Sequence, residues 1–122
     1  MTDKDPELVG LRERTKEFAL RIINLYTKLP NDTVAQVIGK QMLRSGTSVG
    51  AHYREATRAR STAEFVSKID GGLQELDETE YWIDLLIGAK IFSSDRLADL
   101  LDESNQLIAI LTTCSKNAKD ED

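Results

Sequence analysis

The stretch RSGTSVGAHYREA, residues 44–56, decides how the rest of the chain is read. Its small residues, two glycines and the single histidine of the chain have the look of a loop that cradles a phosphate or holds a metal. Set at about 100° per residue, the same region separates into faces instead. Ile38, Met42, Ser45, Val49, His52 and Ala56 gather on one side, and Gly39, Gly46, Gly50 and Thr57 fall on its flank. Lys40, Arg44, Arg54 and Arg58 line up away from the core. A loop has no reason to keep three faces in register over this length, so the stretch is predicted to be helix.

Glycine inside a helix costs about 1 kcal/mol relative to alanine, and the usual return is close approach of another helix to a side with no Cβ. The neighbour of Gly46 and Gly50 is either a helix of a second subunit or a tight crossing within the chain. The frequency of symmetric oligomers favours the first, which makes both glycines candidate interface residues. Phosphate loops fail on spacing, because neither GxxxxGK[ST] nor GxGxxG occurs. A di-iron bundle needs Glu-x-x-His pairs from two helices, and one histidine cannot supply them. His52 is read as a packed, hydrogen-bonded residue at the core edge and Cys114 as a small core residue. Neither a catalytic nucleophile with its base nor a cofactor site can be assembled, and no enzyme is expected.

Outward from this helix the periodicity continues. Leu8, Leu11, Thr15, Phe18, Ile22, Leu25 and Leu29 step by three and four, with Pro6 suited to the first turn and Pro30 to the end. Asn31 or Asp32 caps the second helix. Ser61 and Glu64 form a capping box ahead of Phe65, Ile69, Gly72, Leu76, Thr79, Ile83 and Leu86. Ser93 or Ser94 opens a fourth stripe through Leu97, Leu100 or Leu101, Ser104, Leu107 or Ile108, Leu111 and Cys114. Helices over about 6–28, 32–59, 62–89 and 94–118, with a disordered tail at 119–122, are predicted. Short connections make chain neighbours antiparallel, so the expected fold is one all-α, up-down-up-down four-helix bundle. No stretch alternates as a strand does, and the most apolar run, YWIDLLIGAKIF, is too short and too charged for a membrane span. A cytoplasmic location is the default for a chain with one cysteine and a polar N-terminus.

Once the helices are placed, residues 47–55 (TSVGAHYRE), 58–61 (RARS), Glu64-Phe65 and 78–82 (ETEYW) resemble the central two helices of the bacterial 23S rRNA intervening-sequence proteins. The resemblance covers nearly the whole chain. It implies a four-helix bundle assembled as a ring-shaped homopentamer, and it implies no enzymatic activity. A related accessory protein of diversity-generating retroelements binds nucleic acid, which makes RNA or DNA the partner the resemblance suggests. His52 stands where the family usually has Asn.

Charge is divided between the halves: residues 1–60 carry 11 Lys and Arg against 7 Asp and Glu, residues 61–122 carry 5 against 14, and the whole chain is −5. Lys40, Arg44, Arg54 and Arg58 admit three readings: a solvated stripe, partners for Glu75 and Glu78 within or between subunits, or a strip contacting nucleic-acid phosphates. Arg12 and Arg14 are weaker candidates for the same contact. Asp70, Asp77 and Asp84 recur every seven residues as an outward acidic ridge, the feature a protein-interaction scaffold would use instead. Glu75, Glu78 and Trp82 share another side. Together they form a candidate subunit anchor, or Trp82 is instead a residue of the core margin.

Overall fold

A computed structural model of the chain describes residues 10–121, so Pro6, Leu8 and the last tail residue lie outside the described residues. Four helices follow in order: α1 Leu11–Thr27, α2 Thr33–Thr57, α3 Thr62–Gly88 and α4 Ser94–Asp120. Each of the last three opens on a side-chain cap that satisfies a first-turn amide. Asp32 accepts from the Ala35 amide at 3.0 Å, Ser61 from Glu64 at 3.1 Å and Ser93 from Arg96 at 3.4 Å. Glu64 reaches back to the Arg60 amide at 3.4 Å, one residue before the partner a standard capping box would use. Helix α4 continues to Asp120, so Lys119 and Asp120 of the expected disordered tail are helical. Lys90 ends α3 in the left-handed region at φ 61°. The Ile91 amide then bonds the Leu86 carbonyl and the Lys90 amide the Ile87 carbonyl, both at 2.9 Å, which is the Schellman closure with lysine in place of glycine.

The expected seams of α3 and α4 are buried, with Leu100 and Leu107 rather than Leu101 and Ile108 at the centre of α4, and that of α1 is buried from Leu11 to Leu25 while Leu29, past the helix end, is half-buried. The seam of α2 differs. Tyr53 enters the core at 5% exposure, while His52 and Ile38 are only half-buried. On α2, His52 faces α3, whereas Tyr53 turns inward, one helical step further round.

Contacts between chain neighbours run in opposite order along the two helices. A side chain at Gly39 would meet Leu29 and Tyr26, one at Gly46 would meet Ile22, and one at Gly50 would meet Thr15. The same reversal relates α2 to α3 through Glu55 with Lys68 and Ser45 with Thr79, and α3 to α4 through Asp70 with Ser115 and Glu80 with Ser104. Each helix therefore runs antiparallel to the next. The α1 and α4 sides touch sparingly. No helix among the described residues is long and apolar enough to cross a membrane.

These pairs correct the expectation for the glycine flank. Gly46 and Gly50 face α1 of their own chain, so the surface proposed as a subunit boundary is an intramolecular crossing. The physical reason is that a bare helix side is filled by whichever rod lies nearest, and a five-residue connection between Thr27 and Thr33 makes α1 that rod.

A buried hydroxyl pair ties α2 to α3. Thr79 donates to the Glu75 carbonyl at 2.7 Å, so Ser45 is the donor in the 2.8 Å contact between the two side chains. The only other acceptor shown for Ser45 is the Met42 carbonyl at 3.3 Å. Thr79→Val is therefore expected to cost about 1–3 kcal/mol and Ser45→Ala about 0.5–1.5 kcal/mol, with the double variant less destabilised than the sum. Urea midpoints of the three variants check this, and equal costs for the two single changes would contradict the donor assignment.

Candidate nucleic-acid interface

The four α2 cations do not share one environment. Lys40 and Arg58 are exposed and Arg54 is half-buried. The ion pairs among the described residues take up Arg14, Arg44 and Lys68 and leave Lys40, Arg54 and Arg58 without one. Arg54 in the last turn of α2 and Arg58 at its C-cap also complement the negative end of the helix dipole, a contribution of about 0.3–1 kcal/mol each.

Arg44 is engaged. Its Nη2 lies 2.7 Å from Glu78 Oε1 and its Nη1 3.3 Å from Glu75 Oε2, so it links α2 to α3 within the chain. Glu75 is buried at 9% exposure, and the guanidinium supplies the charge its carboxylate needs there. About three turns nearer the end of α2, Lys68 donates to Glu55 at 2.8 Å. The Lys68 ammonium holds the Glu55 carboxyl below the usual range, and Glu55 in turn raises Lys68; Glu55 is exposed and Lys68 half-buried.

Arg14, one of the weaker candidates, is also committed. Its Nε and Nη2 each donate at 2.8 Å to the two oxygens of Glu103, and Nη2 reaches Gln106 at 2.6 Å. This fork pins α1 to α4, and the Glu103 carboxylate raises the Arg14 pKa. Arg12 remains exposed.

Three other expectations change. Asp70 is half-buried and accepts from the buried Ser115 hydroxyl at 2.9 Å, so the outward acidic ridge reduces to Asp77 and Asp84. Trp82 is half-buried against the core, with exposed Tyr81 tilted beside it at 5.1 Å, and its buried Nε1 has no hydrogen-bond partner among the described residues. His52 is not the hydrogen-bonded residue expected. Its buried Nδ1 has no partner among the described residues, and the ring is seated on bare Gly71, where a Cβ would come within 2.7 Å of that nitrogen. No group of three His, Cys, Asp or Glu side chains among the described residues is placed to hold a metal, and Cys114 is buried in the core.

A second cationic cluster escaped sequence reading. Arg21 and Lys28 of α1 and Arg96 of α4 line a cleft of about 240 Å³ on the sparsely packed α1/α4 side. No local spacing announces it, because its two walls are far apart in the chain.

A model of the 23S rRNA-intervening sequence protein family matches residues 10–113. A solved structure from the S23 ribosomal protein family of Bacteroides thetaiotaomicron, described as a protein with unknown function, is 40% identical to this chain. It superposes with a TM-score of 0.81, covering 86% of this chain and 94% of that one. No curated protein matches the chain.

Proposed function

The chain belongs to the 23S rRNA-intervening sequence protein family, and from that premise we propose that it is a cytoplasmic binding protein without catalytic chemistry, acting as a homo-oligomer. The preferred assembly is a pentamer, and the preferred partner is structured RNA or a nucleoprotein. The observation that carries the proposal is the α2 line of exposed Lys40 and Arg58 with half-buried Arg54, cations left without a carboxylate among the described residues in a chain whose net charge is −5. Ring symmetry repeats such a line on every copy, which turns a few weak phosphate contacts into a multivalent surface. Arg44 belongs to the line by position, but its hold on Glu75 and Glu78 makes it a brace for the bundle first. Trp82 and Glu78 remain the proposed contact between copies, where a half-buried indole beside a partly exposed carboxylate offers apolar area and charge together. Absence of catalysis accords with His52 packed on Gly71 and with Glu55 held by Lys68.

Reversing Lys40, Arg54 and Arg58 together to Glu is expected to weaken retention of a structured RNA at low salt by at least about 100-fold, and to flatten the salt dependence by roughly 0.9 in log K against log salt per lost contact. A Gln triple variant separates loss of charge from its reversal, and light scattering follows the mass of the assembly. Unchanged low-salt retention by the Glu variant would remove the RNA reading, and a monomer mass for the unaltered chain would remove the assembly. The scaffold reading rests on exposed Asp77 and Asp84; it predicts no salt-dependent RNA retention and capture of a basic protein partner.

A further inference from the structure

We propose that the cleft between the second half of α1 and the first turns of α4 is a binding site for a phosphate group. The Arg14–Glu103 fork holds the α1/α4 side together at one level, and the cleft opens toward the α1 C-terminus beyond it. Its floor is apolar, built from the buried side chains of Leu25, Leu97 and Leu100. Its walls are cationic. Arg21 and Lys28 come from α1, Arg96 from α4, and the only carboxylate among the lining residues is Asp99. None of these four charged groups makes an ion pair among the described residues.

A side of a helical bundle is ordinarily closed by apolar residues. Arg21, Lys28 and Arg96 are all solvent-exposed and repel one another weakly, and with Asp99 the one carboxylate among the lining residues the cleft keeps a net positive charge. Arg96 sharpens the point. Its guanidinium lies 4.7 Å over the Phe92 ring, and it sits in the first turn of α4 next to Asp95, where the helix field favours the acid and disfavours the cation. A bound phosphate relieves both conflicts. Two guanidinium groups and an ammonium also match its chemistry, since a guanidinium can meet two phosphate oxygens at once and Asn24 adds an amide donor. The open mouth admits a phosphate carried on a larger molecule, so free phosphate and the 5′-phosphate end of an RNA are the two sources of this one chemistry. The α2 line takes no part in the site.

The full chain is titrated with inorganic phosphate, and with one oligoribonucleotide in 5′-phosphorylated and 5′-hydroxyl forms, following backbone amide resonances. Phosphate is expected to shift the amides of Arg21, Arg96 and Leu97, and R21Q/R96Q to weaken that binding by about 100-fold, roughly tenfold for each guanidinium removed. Preference for the 5′-phosphorylated oligonucleotide, lost in R21Q/R96Q, identifies an RNA end as the source; equal binding of the two oligonucleotides with phosphate still bound identifies free phosphate. The K40Q/R54Q/R58Q variant must keep its phosphate shifts, so this site and the α2 reading stand or fall separately. No phosphate-dependent shift in the cleft, or undiminished binding by a folded R21Q/R96Q, overturns the proposal.

Discussion

Gly46→Val is expected to destabilise the bundle by about 3 kcal/mol, near the top of the usual range for overpacking. A Cβ at position 46 would lie 2.8 Å from Cγ1 and 2.9 Å from Cγ2 of Ile22. Ile22 has no exposure and is branched at Cβ, so rotating it replaces one clash with another. The helices must then separate, and the Tyr26–Gln36 hydrogen bond at 2.8 Å across the same crossing is put at risk. Gly46→Ala is expected to be milder, about 1 kcal/mol, because the gain in helix propensity offsets part of the clash. Gly39 provides the comparison. A Cβ there meets Leu29 Cδ1 first, the far end of a flexible and half-buried side chain, and then the Tyr26 ring at 3.2 Å, so Gly39→Ala is expected to cost less than Gly46→Ala. Denaturant midpoints decide the matter, and Ile22→Ala combined with Gly46→Ala should recover part of the sum of the two losses. A Gly46→Ala protein more stable than the parent would show that the α1/α2 approach is looser than described.

Phe18→Ala is expected to cost about 3–5 kcal/mol, the loss typical of emptying a fully buried aromatic site. Phe18 has no exposure, and α1 relies on few anchors: Leu11, Phe18, Ile22 and Leu25 on its buried stripe, with sparse contact to α4. The loss is therefore expected to be local before it is global. Hydrogen exchange should show the α1 amides losing protection ahead of those of α2 and α3, which are joined along their length by the Arg44, Ser45 and Lys68 links. Uniform loss of protection across all four helices would mean that α1 is not a separable unit. A change below about 1 kcal/mol would mean that the site collapses around the cavity.

Much of the fold could be read locally. The steps of three and four through Phe18, Leu76 and Leu107 identify buried faces, and Asp32, Ser61 and Ser93 mark helix starts, because burial stripes and caps are properties of neighbouring residues. The reading faltered on α2, where small residues carry little hydrophobic contrast. Periodicity there did not distinguish Tyr53, which is buried, from His52, which is not. The candidate site was less legible still. Four cations on one face look equivalent in a sequence, yet Arg44 meets Glu75 and Glu78 while Lys40, Arg54 and Arg58 meet no carboxylate among the described residues. Asp70 looked like a member of a surface ridge until Ser115, 45 residues away, was placed beside it.

The residue order by itself determined that the chain is a set of amphipathic helices, where most of them begin, and which face of each is hidden, since these follow from spacing within a few turns. Only the tertiary structure decided that Gly46 and Gly50 receive α1, that Arg14 grips Glu103 across 89 positions, and that Arg21, Lys28 and Arg96 share a cleft. Periodicity specifies that a face must be covered. It carries no information about which distant helix covers it, and charge pairing between helices is settled only when packing brings their flanks together.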